Sequence, residues 1–118
     1  MSFASAARRF TSAGVISTVL AMTVPARAVE IEAVVQRLGV ACKNEVARVY
    51  PSASMADIQI ELGATEREGI NSGSITTKDI KNNGLSYNWT VSKNGKQKHY
   101  GSCGANYAGA ITDMTPVK

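Results

Sequence analysis

Two hydrophobic periods organise the chain. From Glu30 to about Val49, apolar residues recur at three- and four-residue steps through Ile31, Val34, Val35, Leu38, Cys42, Val46 and Val49. Glu32, Gln36, Arg37, Lys43, Asn44 and Arg48 fall mostly on the other side, so the segment predicts a helix with one buried face. Gly39 interrupts the pattern at a cost of about 1 kcal/mol relative to alanine and marks a kink or a close approach to a neighbouring layer. Pro51 ends the helix.

After Pro51 the period becomes two. Asp57 to Leu62 (DIQIEL) alternates polar and apolar residues and predicts a half-buried strand with Ile58, Ile60 and Leu62 facing the helix. Residues 63–73 are polar, with Glu66, Arg67, Glu68 and several glycines, and read as a mobile loop or irregular edge. A second strand is expected over about Ser74 to Lys81. Asn83-Gly84 and Asn94-Gly95 both carry the chemistry of a type I′ hairpin turn, which needs positive φ at its two central residues. They bracket a strand from Leu85 to Lys93, with Leu85, Tyr87, Trp89 and Val91 on one face. The indole of Trp89 is expected at the centre of the core. The next strand, Lys96 to Cys103, places Gln97, His99, Gly101 and Cys103 on one side and Lys98, Tyr100 and Ser102 on the other. A last short strand over Asn106 to Thr112, before a tail in which Pro116 stops pairing, completes the pattern. The expected fold class is α+β: one N-terminal helix packed on a four- to five-stranded antiparallel sheet, stapled by one disulfide.

The first 28 residues have a different logic. Arg8 and Arg9 precede an uncharged apolar run, Ala13 to Val24, then Pro25 and a small-x-small site, Ala26-Arg27-Ala28. This is the layout of a cleavable secretory signal peptide, with cleavage expected after Ala28. The run is short of the roughly 20 apolar residues of a membrane span, so no stable span is expected after cleavage. The twin arginines lack the fuller polar consensus of twin-arginine export, and no cysteine follows the site closely enough for a lipoprotein anchor. The expected location is therefore periplasmic or secreted.

Export changes the reading of charge. The full chain has 13 basic and 9 acidic residues, a net +4. Arg8, Arg9 and Arg27 leave with the leader, and the remaining 90 residues carry a net charge of +1. That balance argues against nucleic acid as a partner. A domain of this size gains from a staple, and the two cysteines, Cys42 and Cys103, are expected to supply it as a disulfide.

The layout of elements, the pattern G-L-S-Y-N-W-T-V-S-K-N-G-K over 84–96, the following Lys98-His99-Tyr100, and Gly109-Ala110-Ile111 near the end resemble the small PepSY-type exported domains of bacteria. The resemblance spans residues 30 to 112. Asn106-Tyr107-Ala108-Gly109 stands where that family often carries an acidic residue and a Thr-Gly pair. It implies a non-catalytic binding or inhibitory role toward an envelope enzyme or peptide. Cystatin-like and other small inhibitor folds share the same order of elements, and fold alone does not assign function.

The inventory of reactive groups favours binding over catalysis. His99 is the single histidine. Ser102, Cys103 and Asp113 lie near it in sequence, but strand alternation turns Ser102 to the opposite face and a disulfide consumes Cys103. One histidine and two distant cysteines have no metal-ligand spacing, so no metal and no cofactor is expected. Glu66 and Glu68 fall in a polar stretch that gives no reason for a raised pKa. Asn88-Trp89-Thr90 matches a glycosylation sequon, a pattern common by chance. The candidate binding residues are Lys93, Lys96, Lys98, His99 and Tyr100 around Asn94-Gly95. As a basic, aromatic surface they suit an acidic protein or polysaccharide partner outside the cytoplasm. As lysines on a hairpin rim they also serve to discourage edge-to-edge pairing. The alternative role is a structural accessory subunit of a cell-envelope or secretion assembly.

Overall fold

The computed structural model describes residues 26–116. The expected leader therefore lies outside the described residues except for Ala26–Ala28, which open the first helix. That helix, α1 (Ala26–Val49), is followed by a 3-10 turn (Met55–Asp57), strand β1 (Ile58–Leu62), helices α2 (Ala64–Ser72) and α3 (Thr77–Asn83), and strands β2 (Leu85–Lys93), β3 (Lys96–Ala105) and β4 (Ile111–Pro116). The strands form one antiparallel sheet in the order β1-β2-β3-β4. The architecture is α+β, with helices packed on a four-stranded sheet.

The periodic face of α1 supplies one half of the core. Ile31, Val34, Val35, Leu38, Cys42 and Val46 are buried, whereas Val49 is exposed at the helix end. Strand β2 supplies the other half through Leu85, Tyr87, Trp89 and Val91, all buried, while the residues between them point to the open face. The Trp89 indole N–H donates to the Ser102 carbonyl at 3.1 Å, so its one polar atom is satisfied within the sheet. The Tyr87 hydroxyl donates to the Val35 carbonyl of α1. The helix continues through Gly39, where a Cβ would lie 3.3 Å from the Tyr87 ring. Gly39 therefore serves close approach of helix and sheet.

Cys42 and Cys103 are joined, with Cα atoms 6.0 Å apart and 61 residues of chain between them. The bond ties α1 to β3. In the chain-entropy account, closing a loop of this length is worth about 4 kcal/mol.

Four expectations give way to tertiary structure. Residues 63–73 are not a loop: Ala64–Ser72 is helical, because Ala64, Glu66, Arg67 and Glu68 are good helix formers. Gly73, at φ 85°, is the left-handed cap that ends the helix. The expected strand over 74–81 is not a strand either: residues 74–76 are a bend that ends in a helix cap, and 77–81 belong to α3. Thr76 and Asp79 form a reciprocal capping box, with the Asp79 carboxylate accepting the Thr76 N–H at 2.8 Å and the Thr76 hydroxyl accepting the Asp79 N–H at 3.3 Å. Ile80 is the one buried residue of α3.

Asn83-Gly84 is the end of α3 and not a hairpin. Asn83 keeps helical geometry, and Gly84, at φ 71° and ψ −160°, donates to the Ile80 carbonyl. The last strand begins at Ile111, not Asn106. Asn106 spends its groups closing a turn, its N–H donating to the Ala110 carbonyl and its side chain accepting the Ala110 N–H, both at 2.9 Å. Pro116 is the last residue of β4, opposite Gly101. In β1, Ile58 and Leu62 are buried as expected, and Ile60 is only half-buried at the sheet edge.

Candidate functional site

The Asn94-Gly95 turn is a true hairpin. Asn94 (φ 54°) and Gly95 (φ 79°) both occupy the left-handed region, which the type I′ turn requires. Lys93 and Lys96 face each other across it. Two residues further in, the register slips: Val91 opposes His99 but Ser92 opposes Gln97, leaving Lys98 as one extra residue on β3. Such a bulge sharpens the local twist and re-aims side chains.

The other wall comes from the end of α1. Tyr50 donates its N–H to the Val46 carbonyl, continuing the helix by one bond, and its carbonyl accepts from Ala53. This sets the Tyr50 ring against Trp89, with centroids 5.5 Å apart and planes tilted by 52°. On its other side the ring stacks on His99 at 4.6 Å and 23°. Trp89, Tyr50 and His99 thus form a file of rings from the buried core to the surface. Tyr50 carries no part of the candidate set read from sequence, although it sits four residues after Val46 and so continues the buried face of α1. That period was the available signal.

Between the hairpin and the chain after α1 lies a cleft of about 130 Å³, lined by Tyr50, Ser52, Asp57, Lys93, Lys98 and His99 among others. Asp57 accepts the Ser54 hydroxyl at 3.0 Å, which ties it to the wall. Two ammonium groups, an imidazole, hydroxyls and an aromatic wall are a set suited to a carboxylate, sulfate or phosphate carried on a larger molecule. Of the five sequence candidates, the structure brings Lys93, Lys98 and His99 to this cleft. Lys96 lies at the exposed tip of the hairpin, outside the cleft lining. Tyr100 lies on the other face of the sheet, opposite Thr90, and is 38% exposed.

Other polar groups are dispersed or tied to neighbours. Ser102 and His99 occupy opposite faces of β3, and Asp113 accepts the Thr115 hydroxyl at 3.0 Å. Among the described residues no cluster of three or more His, Cys, Asp or Glu is arranged to hold a metal ion. A larger but shallow hollow of about 710 Å³ lies between α2 and β1, lined by Glu61, Leu62, Arg67, Glu68 and Asn88 among others. Its Arg67 is paired with Glu32 of α1 at 2.6 Å. The smaller hairpin cleft holds the denser set of charged and aromatic groups and is the better candidate. Size alone does not make a site. The chain matches no family model, no curated protein and no solved structure.

Proposed function

We propose that this protein is an exported, non-catalytic binding or inhibitory protein that holds an anionic group of an envelope or extracellular protein or polysaccharide in the hairpin cleft. The observation that carries the reading is the convergence of Lys93 and Lys98 on the Tyr50–His99 stack at the end of the sheet. Two flexible ammonium groups supply the charge, and the ring stack supplies a stiff surface against which a sugar or peptide backbone can lie. No cofactor takes part in this reading, and nucleic acid is a poor fit to a processed chain of net charge +1.

Export is supported by three features. The leader has the signal-peptide layout. The disulfide belongs to an oxidising compartment. Cleavage after Ala28 would also start the helix at Val29-Glu30-Ile31-Glu32, placing two carboxylates in its first turn, where the helix dipole favours them. No described helix is long and apolar enough to cross a membrane.

The test compares the oxidised protein with a Lys93→Ala/Lys98→Ala variant and a Lys96→Ala/Tyr100→Ala variant. Retention is measured on an immobilised uronate polysaccharide, on an acidic peptide, and on envelope extract. Binding lost in the first variant and kept in the second supports the cleft. Equal retention of all three forms, or loss in the second variant alone, overturns it.

A further inference from the structure

The sheet has two faces, and α1 covers one of them. Directly opposed residues of antiparallel strands point to the same side, so the other face can be read from the register. Gln59, Thr90 and Tyr100 form one row across it, and Glu61, Asn88 and Ser102 form the next. Strands lie about 4.8 Å apart and such rows about 7 Å apart, which makes a flat grid of polar groups. An uncovered antiparallel face is ordinarily polar. This one is polar in a narrower way, with amides, hydroxyls, a carboxylate and one phenol, and neither row contains a lysine or an arginine.

Two hollows deepen this surface. One of about 240 Å³ is lined by Gln59, Ile60, Glu61, Asn88 and Thr90. The other, the hollow of about 710 Å³ against α2, adds Arg67, Glu68, Asn71 and Ser72. They share Glu61 and Asn88, so they form one trough that runs from β1 and β2 to the wall of α2. Its one cation, Arg67, is engaged by both carboxylate oxygens of Glu32, at 2.6 and 3.4 Å. Among the described residues Glu61 and Glu68 have no ion-pair partner, and the side chains of Gln59, Asn71 and Asn88 make no hydrogen bond to another residue. The trough thus holds two uncompensated carboxylates and three amides with unused donors and acceptors.

We propose that this trough is a second binding site, independent of the hairpin cleft, and that its ligand is a glycan of amino sugars with free ammonium groups. The lining selects each part of that ligand. A sugar hydroxyl is both donor and acceptor, an amide carries both functions in one plane, and a carboxylate accepts from two hydroxyls at once. Glu61 and Glu68 repel a uronate or a phosphate and attract an ammonium group, whose charge-assisted hydrogen bond is about twice as strong as a neutral one. A protein partner would need an apolar centre with aromatic anchors, whereas the apolar part of this lining is confined to Ile60, Leu62 and Ala64 beside the polar groups. Tyr100 stands next to Thr90 in the same row and is 38% exposed, so its ring can take the apolar face of one further sugar. The two sites lie on opposite faces of the sheet and select ligands of opposite charge.

Calorimetric titration of the disulfide-bonded protein, produced from the full chain through an export pathway, tests this. The probe is a glucosamine oligomer at mildly acidic pH, compared with its N-acetylated counterpart and with an oligolysine of equal charge. The glucosamine oligomer is expected to bind about tenfold more tightly than the N-acetylated one. Asn88→Ala should weaken both sugars about five- to tenfold. Glu61→Gln keeps the shape of the side chain and removes its charge, so it should abolish most of the preference for the free amine. Both positions are exposed, and thermal unfolding of the two variants should match the wild type. Lys93→Ala/Lys98→Ala should leave sugar binding unchanged. Absence of glucosamine binding, equal affinity for the N-acetylated oligomer, oligolysine binding as tight as the sugar, or indifference to both trough variants overturns the site. The hairpin cleft is read with anionic ligands and this trough with cationic ones, so either proposal can fail alone.

Discussion

Strands β2 and β3 pass through two regions of opposite character. Beneath α1 they contribute Tyr87, Trp89 and Cys103, all buried and tied to the helix by a hydrogen bond and a disulfide. Beyond the end of α1 the same two strands carry Lys93, Lys96 and Lys98, all exposed, and the half-buried His99. The strands do not change between the two regions; the cover does. Where the helix lies over the sheet, inward residues must be apolar or have their polar atoms bonded. Where it stops at Val49, the inward face opens into a cleft, and charged side chains keep their hydration. Recognition chemistry sits where the fold no longer needs the strands for its core.

The largest expected effect tests the covered region. Trp89→Ala should cost about 3–5 kcal/mol, read as a lower denaturant midpoint, because it opens a cavity at the centre of the core. It should also release Tyr50 and so blunt binding at the cleft, since Tyr50 rests on Trp89. Replacing both cysteines by alanine should cost about 4 kcal/mol from restored chain entropy. In that variant hydrogen exchange should rise along α1 and β3, the two elements that the bond joins, and change less at the hairpin turn.

A smaller effect has a pH signature. Burial pushes the Tyr87 hydroxyl well above the ordinary tyrosine range, an effect only partly offset by the positive charges of Arg67 and Arg37. The folded protein therefore holds this proton where the unfolded chain loses it. Stability from this group is complete below the unfolded tyrosine pKa, about 10, and falls as pH rises beyond it. Tyrosinate absorbance should show one phenol that ionises only with unfolding. Tyr87→Phe should remove that component and cost about 1 kcal/mol at neutral pH, the usual worth of one such bond.

The smallest expected effect on stability belongs to the open region. Lys93→Ala/Lys98→Ala should leave the unfolding free energy within about 0.5 kcal/mol, as for surface changes that touch no packing, while binding is lost. A large loss of stability in this variant would erase the distinction between covered core and free cleft.

Much of the fold was legible because backbone geometry imposes it. A helix facing a sheet must repeat its apolar residues near every 3.6 positions, and α1 does so from Ile31 to Val46. A strand covered on one face must alternate, and β2 does so from Leu85 to Val91. The excursion between β1 and β2 was illegible for the opposite reason. Helices α2 and α3 are short and bury few residues, so they carry little period. In Ile75-Thr76-Thr77 the β-branched residues suggest a strand, although Thr76 is in fact a helix cap. The two Asn-Gly pairs show the limit most directly. Asn94-Gly95 joins two strands and forms the turn that its chemistry favours, whereas Asn83-Gly84 follows a helix, which holds Asn83 in helical geometry and leaves the positive φ to Gly84 alone.

In the candidate site, the lysines and His99 were visible as a cluster along the chain. Their division was not. A bulge at Lys98, the placement of Tyr50 on His99, and the turning of Tyr100 to the opposite face depend on contacts between elements distant in sequence. By itself the sequence determined the buried face of α1, the phase of β2, the Asn94-Gly95 hairpin, the cysteine pair and the α+β class, because each follows from local periodicity, local turn chemistry or a count of two. Tertiary structure alone decided that Trp89, Tyr50 and His99 form one file of rings, that Tyr100 turns away from them, and that β1 lies at the edge of the sheet. Those features depend on which surfaces meet across the chain, and no local pattern encodes that.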